Sequence, residues 1–229
     1  MTDAADRLIV ALDLPTTDEA TALVEALGPS GCFYKIGYQL IPIGGLSLAT
    51  KLSEAGKKVF LDFKFHDIGA TVERGVKSIA TLGADFLTVH AEKDVVAAAV
   101  AGRGDDPRLK ILAVTVLTSL DQSALAANGI DMPLGDLVMR RAEIAVTAGV
   151  DGLVCSAHEA PRLRDAFGQD IALVTPGVRP AGAAADDQAR VATPAIARQN
   201  GADFVVVGRP ITRADDPAGV ANAIIADLS

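Results

Sequence analysis

The chain has 229 residues, of which 50% are hydrophobic, so it can bury a sizeable core in one domain or two. Its formal net charge of −8 argues against nucleic acid or an anionic membrane surface as the main partner. The first residues, MTDAADRLIV, lack the basic flank and long apolar stretch of a signal peptide, and no run approaches the ~20 apolar residues of a membrane span.

Short apolar runs alternate with longer, Ala-rich periodic segments, which predicts alternating strands and helices. The predicted strands cover residues 8–12, 32–36, 58–62, 86–90, 111–116, 152–155, 171–174 and 204–207. The predicted helices cover residues 18–27, 44–55, 70–82, 93–102, 135–148, 158–167, 189–200 and 218–228. Eight such units indicate an α/β fold, a (β/α)8 TIM barrel formed by residues 1–229 as a single domain. An open doubly wound sheet is the alternative, and the absence of a GxGxxG turn after the first strand disfavours it.

Three repeated triplets separate helices from strands: Gly83-Ala84-Asp85, Gly149-Val150-Asp151 and Gly201-Ala202-Asp203. The glycine is expected to end each helix in a left-handed conformation, and we assign the triplets no function.

Two long connections, 118–134 and 175–188, follow strands and are expected to act as lids or as ligand-binding loops.

Cys32 and Cys155 lie in apolar strands outside any CxxC pair, so reduced thiols and a cytoplasmic location are expected.

Polar residues cluster where the predicted strands end, namely at Asp13, Lys35, Asp62, Lys64, His90 and Thr118. In a closed parallel barrel these ends converge on one mouth. Each residue has an ordinary structural explanation. Asp13 could cap the first helix, although Thr17 and Asp18 are better placed, Lys35 could extend to solvent, and His90 could be a core histidine. Their coincidence at the strand ends instead favours a functional site.

The segment Asp62-Phe63-Lys64-Phe65-His66-Asp67 concentrates charge directly after an apolar run. Side chains two residues apart share one face of a strand, so Asp62 and Lys64 are expected to point the same way, with Asp67 following in the next loop. Two carboxylates around one ammonium is an arrangement that favours proton transfer.

The loops after the last two strands both carry arginine and glycine, in Thr175-Pro176-Gly177-Val178-Arg179-Pro180 and Gly208-Arg209-Pro210. Barrels often bind phosphate with the loops after strands seven and eight, using backbone N–H groups and bidentate arginine. The alternative is that Gly and Pro only shape the turns and the arginines are solvated. Because both loops lie on the suspected face, we favour a phosphate site.

These residues together resemble a known family. The run Asp62 to Thr71 resembles the DxKxxDIxxT signature of orotidine 5′-monophosphate decarboxylases, and Asp13, Lys35, the Leu117-Thr118-Ser119 segment, both arginine loops and Asp187-Gln188 match in order. The resemblance implies decarboxylation of orotidine 5′-monophosphate to UMP and CO2, the last step of de novo UMP synthesis. It implies no cofactor and no metal, and a homodimer whose active sites are shared between subunits.

The resemblance also implies a role for each matching residue. Lys64 would be the proton donor, flanked by Asp62 and by Asp67 from the partner subunit. Lys35 would bridge Asp62 and the ribose. The remaining substrate contacts would come from Asp13, Ile68, Thr71, Thr118, Pro176, Arg179, Gln188, Gly208 and Arg209.

Three alternatives stay open beside this interpretation. The Mg²⁺-dependent keto-gulonate-phosphate decarboxylases and hexulose-phosphate synthases carry an acidic residue at the position of Lys35, and a lysine there repels a divalent cation. Zinc is disfavoured because the three histidines and two cysteines show no ligand spacing. A non-catalytic nucleotide- or phosphosugar-binding barrel would be indicated by loss of Lys64 or Asp67, and both are present.

Overall fold

The structure, a computed structural model, describes residues 4–180 and 191–229. Eight parallel strands pair in chain order, and the eighth pairs with the first to close a barrel. The strands are β1 Leu8–Ala11, β2 Phe33–Ile36, β3 Lys58–Phe65, β4 Phe86–His90, β5 Lys110–Val114, β6 Gly152–Val154, β7 Ala172–Thr175 and β8 Phe204–Val207. The predicted (β/α)8 barrel is therefore confirmed.

Helices surround the barrel and connect its strands. They are α1 Ala4–Arg7, α2 Thr17–Leu27, α3 Gly45–Glu54, α4 Gly69–Ala80, α5 Lys93–Arg103, α6 Gln122–Ala127, α7 Leu134–Thr147, α8 Ala160–Phe167, α9 Pro194–Gln199, α10 Arg209–Thr212 and α11 Pro217–Asp227. Two short 3₁₀ turns, Gly28–Ser30 and Ile41–Ile43, complete the described connections. Within the described part of the chain, no helix is long and apolar enough to cross a membrane.

Several boundaries differ from the sequence prediction for identifiable reasons. The strand predicted to end at residue 62 continues through Phe65, because a bulge carries the pairing past the charged residues. The connection 118–134 contains helix α6, whose first turn is capped by the Asp121 side chain. Residues 191–193 lie outside the helix predicted from residue 189, because Thr193 caps α9 at Pro194. Helix α2 is capped by Thr16, not by Asp13, Thr17 or Asp18.

The apolar residues form two clusters separated by the sheet. The larger cluster lies between the strands and the surrounding helices. The smaller cluster fills the barrel interior and consists of Ile9, Ala11, Phe33, Phe60, Phe86, Leu112, Val174 and Val206, with Val154 and Phe204 packed against it. Its phenylalanine rings meet edge to face, with centroids 4.9 Å apart for Phe33 and Phe86 and 5.1 Å apart for Phe86 and Phe204. This plug closes the barrel below its mouth.

The repeated Gly-x-Asp triplets lie at the amino-terminal ends of the strands, opposite the barrel mouth, and make hydrogen bonds and ion pairs there. The glycines at 83, 149 and 201 all have positive φ, as predicted for left-handed helix ends. The aspartates of the triplets accept hydrogen bonds from the N–H of the second residue of a neighbouring strand, in the pairs Val59 with Asp85, Ile111 with Asp151 and Leu173 with Asp203. Each carboxylate also pairs with an arginine, respectively Arg108, Arg103 and Arg164. The carboxylates therefore satisfy backbone donors near the amino-terminal ends of three strands.

Candidate active site

Strand alternation places a polar layer directly above the phenylalanine plug. Because residues two apart share a strand face, three of the interior phenylalanines are each followed two residues later by an interior polar residue. The pairs are Phe33 with Lys35, Phe60 with Asp62, and Phe86 with Thr88. The apolar plug beneath these groups lowers their access to water, which strengthens the charge interactions among them.

Four charged side chains form a continuous alternating array in this layer. The Lys35 ammonium lies 3.1 Å from Asp13 Oδ1 and 3.4 Å from Asp62 Oδ2. The Lys64 ammonium lies 2.7 Å from Asp62 Oδ1. Thus the structure brings together the strand-end charges that the sequence singled out. Gly37 leaves room for them, because an added Cβ there would be 3.2 Å from Lys35 Nζ.

The array keeps its buried members charged. Burial lowers the pKa of Lys35, but the carboxylates of Asp62 and Asp13 outweigh burial, and the pKa lies above its ordinary value. Burial likewise raises the pKa of Asp62, and the ammoniums of Lys35 and Lys64 outweigh it, so that this pKa lies below its usual range. The site therefore presents fixed positive and negative charges side by side near neutral pH.

Thr88 is a site residue that the sequence analysis missed. Its side chain is fully buried, its hydroxyl donates to Asp62 Oδ1 at 2.8 Å, and its Oγ1 accepts from the Lys64 N–H at 3.0 Å. The available signal was the spacing of Phe86, Thr88 and His90, which places all three on one strand face.

Two cavities that share lining residues open beside the array. The smaller, of about 220 Å³, is lined by Lys35, Asp62, Lys64 and Thr118, among others. The larger, of about 680 Å³, extends outward from Asp13 and Lys35 to the loops after β7 and β8. Its outer wall carries Pro176, Arg179, Gly208, Arg209 and Arg213. Lys35, Pro176 and Val206 line both cavities, so the two form one cleft with a charged floor and a basic rim.

Arg213 was not predicted, because it follows the short helix α10 and lies outside the Gly-Arg-Pro segment. The predicted phosphate residues Arg179, Gly208 and Arg209 all line the cleft, as does Pro176, which was predicted to contact the substrate. The predicted contact Gln188 lies outside the described residues.

Asp67, Ile68 and Thr71 occupy a different position from the array. Asp67 accepts a hydrogen bond from the N–H of Ile68, and the ion pair found for Lys64 within the described ranges is with Asp62, not with Asp67. The Ile68 side chain is exposed, although it is large and apolar, and Thr71 is exposed at the start of α4. These three residues therefore face outward at the barrel mouth.

His90 ends β4 beside a second histidine. Its ring lies 5.1 Å from that of His66, which pairs with Glu92 at 3.1 Å. Burial lowers the pKa of His90, and the neighbouring His66 lowers it further. His90 is thus half-buried and favours its neutral form, next to the charged array but outside the residues that line the cleft.

The described residues offer no group of three or more His, Cys, Asp or Glu side chains placed to hold a metal ion. The position between the carboxylates of Asp13 and Asp62, where a cation would be attracted, is taken by the Lys35 ammonium.

Comparison with known proteins connects this chain to one family. The family model described as "Orotidine 5'-phosphate decarboxylase / HUMPS family" matches residues 6–224. An orotidine 5′-phosphate decarboxylase of Rhodopseudomonas palustris (strain BisB5) is 60% identical over 98% of this chain and 95% of its own length. One of Methylorubrum extorquens (strain PA1) is 58% identical over 99% of this chain and 97% of its own length.

Solved structures agree with this result. The crystal structure of orotidine 5′-phosphate decarboxylase from Lactobacillus acidophilus superimposes with a TM-score of 0.86 at 36% identity, covering 97% of this chain and 98% of that one. An uncharacterised conserved protein from Geobacillus kaustophilus gives a TM-score of 0.84 at 33% identity, covering 97% of this chain and 100% of that one.

Proposed function

The chain belongs to the orotidine 5′-phosphate decarboxylase / HUMPS family, and we infer that it decarboxylates orotidine 5′-monophosphate to UMP and CO2. This carboxy-lyase reaction is the last step of de novo UMP synthesis. The observation that carries the inference is the Asp13–Lys35–Asp62–Lys64 array beside a basic-rimmed cleft. The array supplies charge for the reaction, and the rim supplies arginines for a substrate phosphate.

The chemistry requires a cation beside C6 of the pyrimidine. When the bond between C6 and the carboxyl group breaks, CO2 leaves and the electron pair stays on C6, where no ring carbonyl is placed to absorb it. A fixed ammonium stabilises this charge as it develops and then transfers its proton to C6. We assign this role to Lys64, which Asp62 holds in place at 2.7 Å and which lines the inner cavity. The neutral amine regains a proton from solvent after turnover.

The other residues of the array bind and orient the substrate. Asp62 would face the departing carboxylate, and Lys35, held between two carboxylates, would donate to a ribose hydroxyl. Asp13 is half exposed at the outer end of the array, where it can accept from ribose. Thr118 lines the inner cavity and would contact the pyrimidine.

The rim of the cleft is proposed to hold the 5′-phosphate. Arg179 and Arg209 supply guanidinium donors, the backbone at Gly208 approaches the cleft closely, and Pro176 shapes the wall. Gln188, outside the described residues, is proposed as a further phosphate contact. Binding energy from this remote group can contribute to stabilising the transition state at C6.

The outward-facing residues support a homodimer with shared active sites. Ile68 is 72% exposed, beside Asp67 on the loop that leaves β3 and close in sequence to the exposed Thr71 at the start of α4. We propose that a second copy of the chain covers this loop, that Asp67 flanks the partner's catalytic lysine, and that Ile68 and Thr71 contact the partner's substrate. Mixing Asp67→Asn protomers with Lys64→Ala protomers should regenerate active sites. No recovery after demonstrated subunit exchange would contradict a shared site.

The remaining proposals concern partners and location. We propose that residues 1–229 act as one domain in the cytoplasm, without a cofactor, and that neither nucleic acid nor membrane is a partner. The net charge of −8 and the free cysteines support this view. The Mg²⁺-dependent relatives remain the second candidate class, and the Lys35 ammonium between Asp13 and Asp62 disfavours them.

The decisive experiment is conversion of orotidine 5′-monophosphate to UMP by the purified protein in EDTA. We expect turnover by the wild type and none by Lys64→Ala, whose folding is verified by circular dichroism. Lys51→Ala is the matched control, because Lys51 is an exposed lysine on α3. Strict dependence on a divalent metal would refute the assignment, and substantial turnover by Lys64→Ala would place the proton donor elsewhere.

A further inference from the structure

The peptide bond between Phe63 and Lys64 is released from the strand ladder. The pairing of β3 with β4 shifts register between Leu61 and Phe65, which forms a bulge. Polar groups in a bulge lose their usual ladder partners, so the Phe63 carbonyl and the Lys64 N–H must find others.

Side chains from the loop after β2 and from β4 supply these partners. The Tyr38 hydroxyl, on the loop after β2, donates to the Phe63 carbonyl oxygen at 2.5 Å. The Lys64 N–H donates to Thr88 Oγ1 on β4 at 3.0 Å. One peptide group is therefore held at its oxygen from one side and at its nitrogen from the other.

The residue held in this way has an unfavourable backbone conformation. Lys64 has a φ of 46°, and it is the one non-glycine residue with positive φ in the described part of the chain. The left-handed region is sterically costly for residues with a Cβ, and it persists only where the surroundings impose it. Lys64 is also the residue that the proposed function requires to be aimed at C6.

We propose that Tyr38 and Thr88 form a peptide clamp that holds Lys64 in the left-handed conformation and thereby aims its ammonium at the reacting carbon. Both are positioning residues, since neither lines the cleft. The orientation of the ammonium toward a reacting carbon rests on the proposed function, whereas the restraint of the Lys64 backbone does not.

Thr88 is the stronger half of the clamp. Its hydroxyl also donates to Asp62 Oδ1, the oxygen that accepts from Lys64 Nζ, so one side chain fixes both the backbone and the counter-ion of Lys64. Tyr38 is 63% exposed, and water can replace its hydrogen bond. Its ring centroid is 6.0 Å from Lys64 Nζ, at the outer limit of a cation–π contact.

Steady-state kinetics test whether the clamp orients the Lys64 ammonium for turnover. Thr88→Val should lower kcat on the order of 30-fold while KM changes little, because the part-buried Lys64 N–H loses its acceptor and Asp62 Oδ1 keeps only Lys64 Nζ of its two donors. Thr88→Ser, which keeps the hydroxyl, should restore most of kcat. Tyr38→Phe should lower kcat by roughly threefold through loss of one exposed hydrogen bond. Thr115→Val is the control, because Thr115 is equally buried and its hydroxyl bonds the Val154 carbonyl instead. The proposal fails if Thr88→Val and Thr115→Val have the same kcat, or if KM alone changes.

Thermal melting tests the clamp without any turnover. With the clamp intact, Lys64→Gly should melt about 2–4 °C above Lys64→Ala, because glycine accepts positive φ without strain. Adding Tyr38→Phe or Thr88→Val should shrink this gap, since the peptide can then relax. A gap of zero, or one unchanged by both clamp variants, overturns the proposal. An inactive wild type with the predicted melting gap would instead refute the proposed function and leave the clamp standing.

Discussion

Replacing Asp62 with asparagine removes one charge from the centre of the array and keeps the shape of the side chain. The Asp62 carboxylate lies 3.4 Å from the Lys35 ammonium and 2.7 Å from the Lys64 ammonium. The side chains of Asp62 and Lys35 are only 12% and 10% exposed, so water screens the loss weakly. The variant would leave two ammonium groups facing a neutral amide.

The magnitude follows from burial. Removing one partner of a buried ion pair costs about 3–5 kcal/mol, because the other charge stays buried without compensation. The low end, about 3 kcal/mol, applies here, because Lys35 keeps Asp13 and Lys64 retains some solvent contact. For a domain of this size, a loss of that order lowers Tm by about 6–12 °C.

Thermal denaturation followed by circular dichroism at pH 7.5 measures this loss. Asp13→Asn is the matched control, since Asp13 pairs with the same lysine but is 51% exposed. An exposed partner contributes under about 1 kcal/mol, so the control should lower Tm by no more than roughly 4 °C. The charge argument is wrong if the two variants lower Tm equally, or if the losses of Asp62→Asn and Lys35→Met simply add in the double variant.

Three further predictions concern pH, phosphate and the thiols. Burial raises the pKa of Asp62, but Lys35 and Lys64 hold it below the unfolded value of about 3.9. The ionised Asp62 carboxylate therefore stabilises the folded protein above about pH 3.9, and this stabilisation is lost as the pH falls through the folded-state pKa. The Tm gap between wild type and Asp62→Asn should narrow from pH 7 to pH 3, and a constant gap would contradict this linkage. Arg209→Ala should lower kcat/KM for orotidine 5′-monophosphate on the order of 30-fold, because it removes a guanidinium donor to the phosphate. Arg209→Lys should recover this value only in part, because lysine cannot reproduce a bidentate contact. An unchanged kcat/KM in Arg209→Ala would remove Arg209 from the phosphate site. Burial raises the pKa of Cys32 to about 11 and Cys155 is fully buried, so iodoacetamide at pH 8 should modify neither thiol quickly until the protein is unfolded, as mass spectrometry can show. Rapid labelling of one thiol in the native protein would contradict the burial described here.

Much of the fold was predictable because its signals are local. Apolar runs of strand length alternate with periodic helical segments along the sequence. Eight repeats of this unit are typical of a closed (β/α)8 barrel. Some boundaries differ from the prediction because they depend on side-chain caps, such as those of Thr16 and Thr193, which local pattern places only to within a few residues. The end of β3 differs because a bulge carries its pairing on to Phe65.

The members of the charged array were predictable for a different reason. Parallel strands in a barrel all end at the same mouth, so charges that follow apolar strands must meet there. Asp13, Lys35, Asp62 and Lys64 could therefore be predicted to meet without any knowledge of distances. Thr88 could not, because a single threonine inside an apolar strand is common and carries no charge to mark it.

By itself, the sequence determined the barrel, the end of the barrel where the charged array lies, and the charged residues of that array. Only the tertiary structure decided how Lys64 is held. The alternation of Asp62-Phe63-Lys64-Phe65 predicts a regular strand, yet Lys64 adopts positive φ within a bulge. Its backbone is fixed by Tyr38 and Thr88, which lie 25 and 24 residues away in sequence from the groups they bond. Contacts over such separations form only when neighbouring strands pack side by side, and no local pattern in the sequence records them.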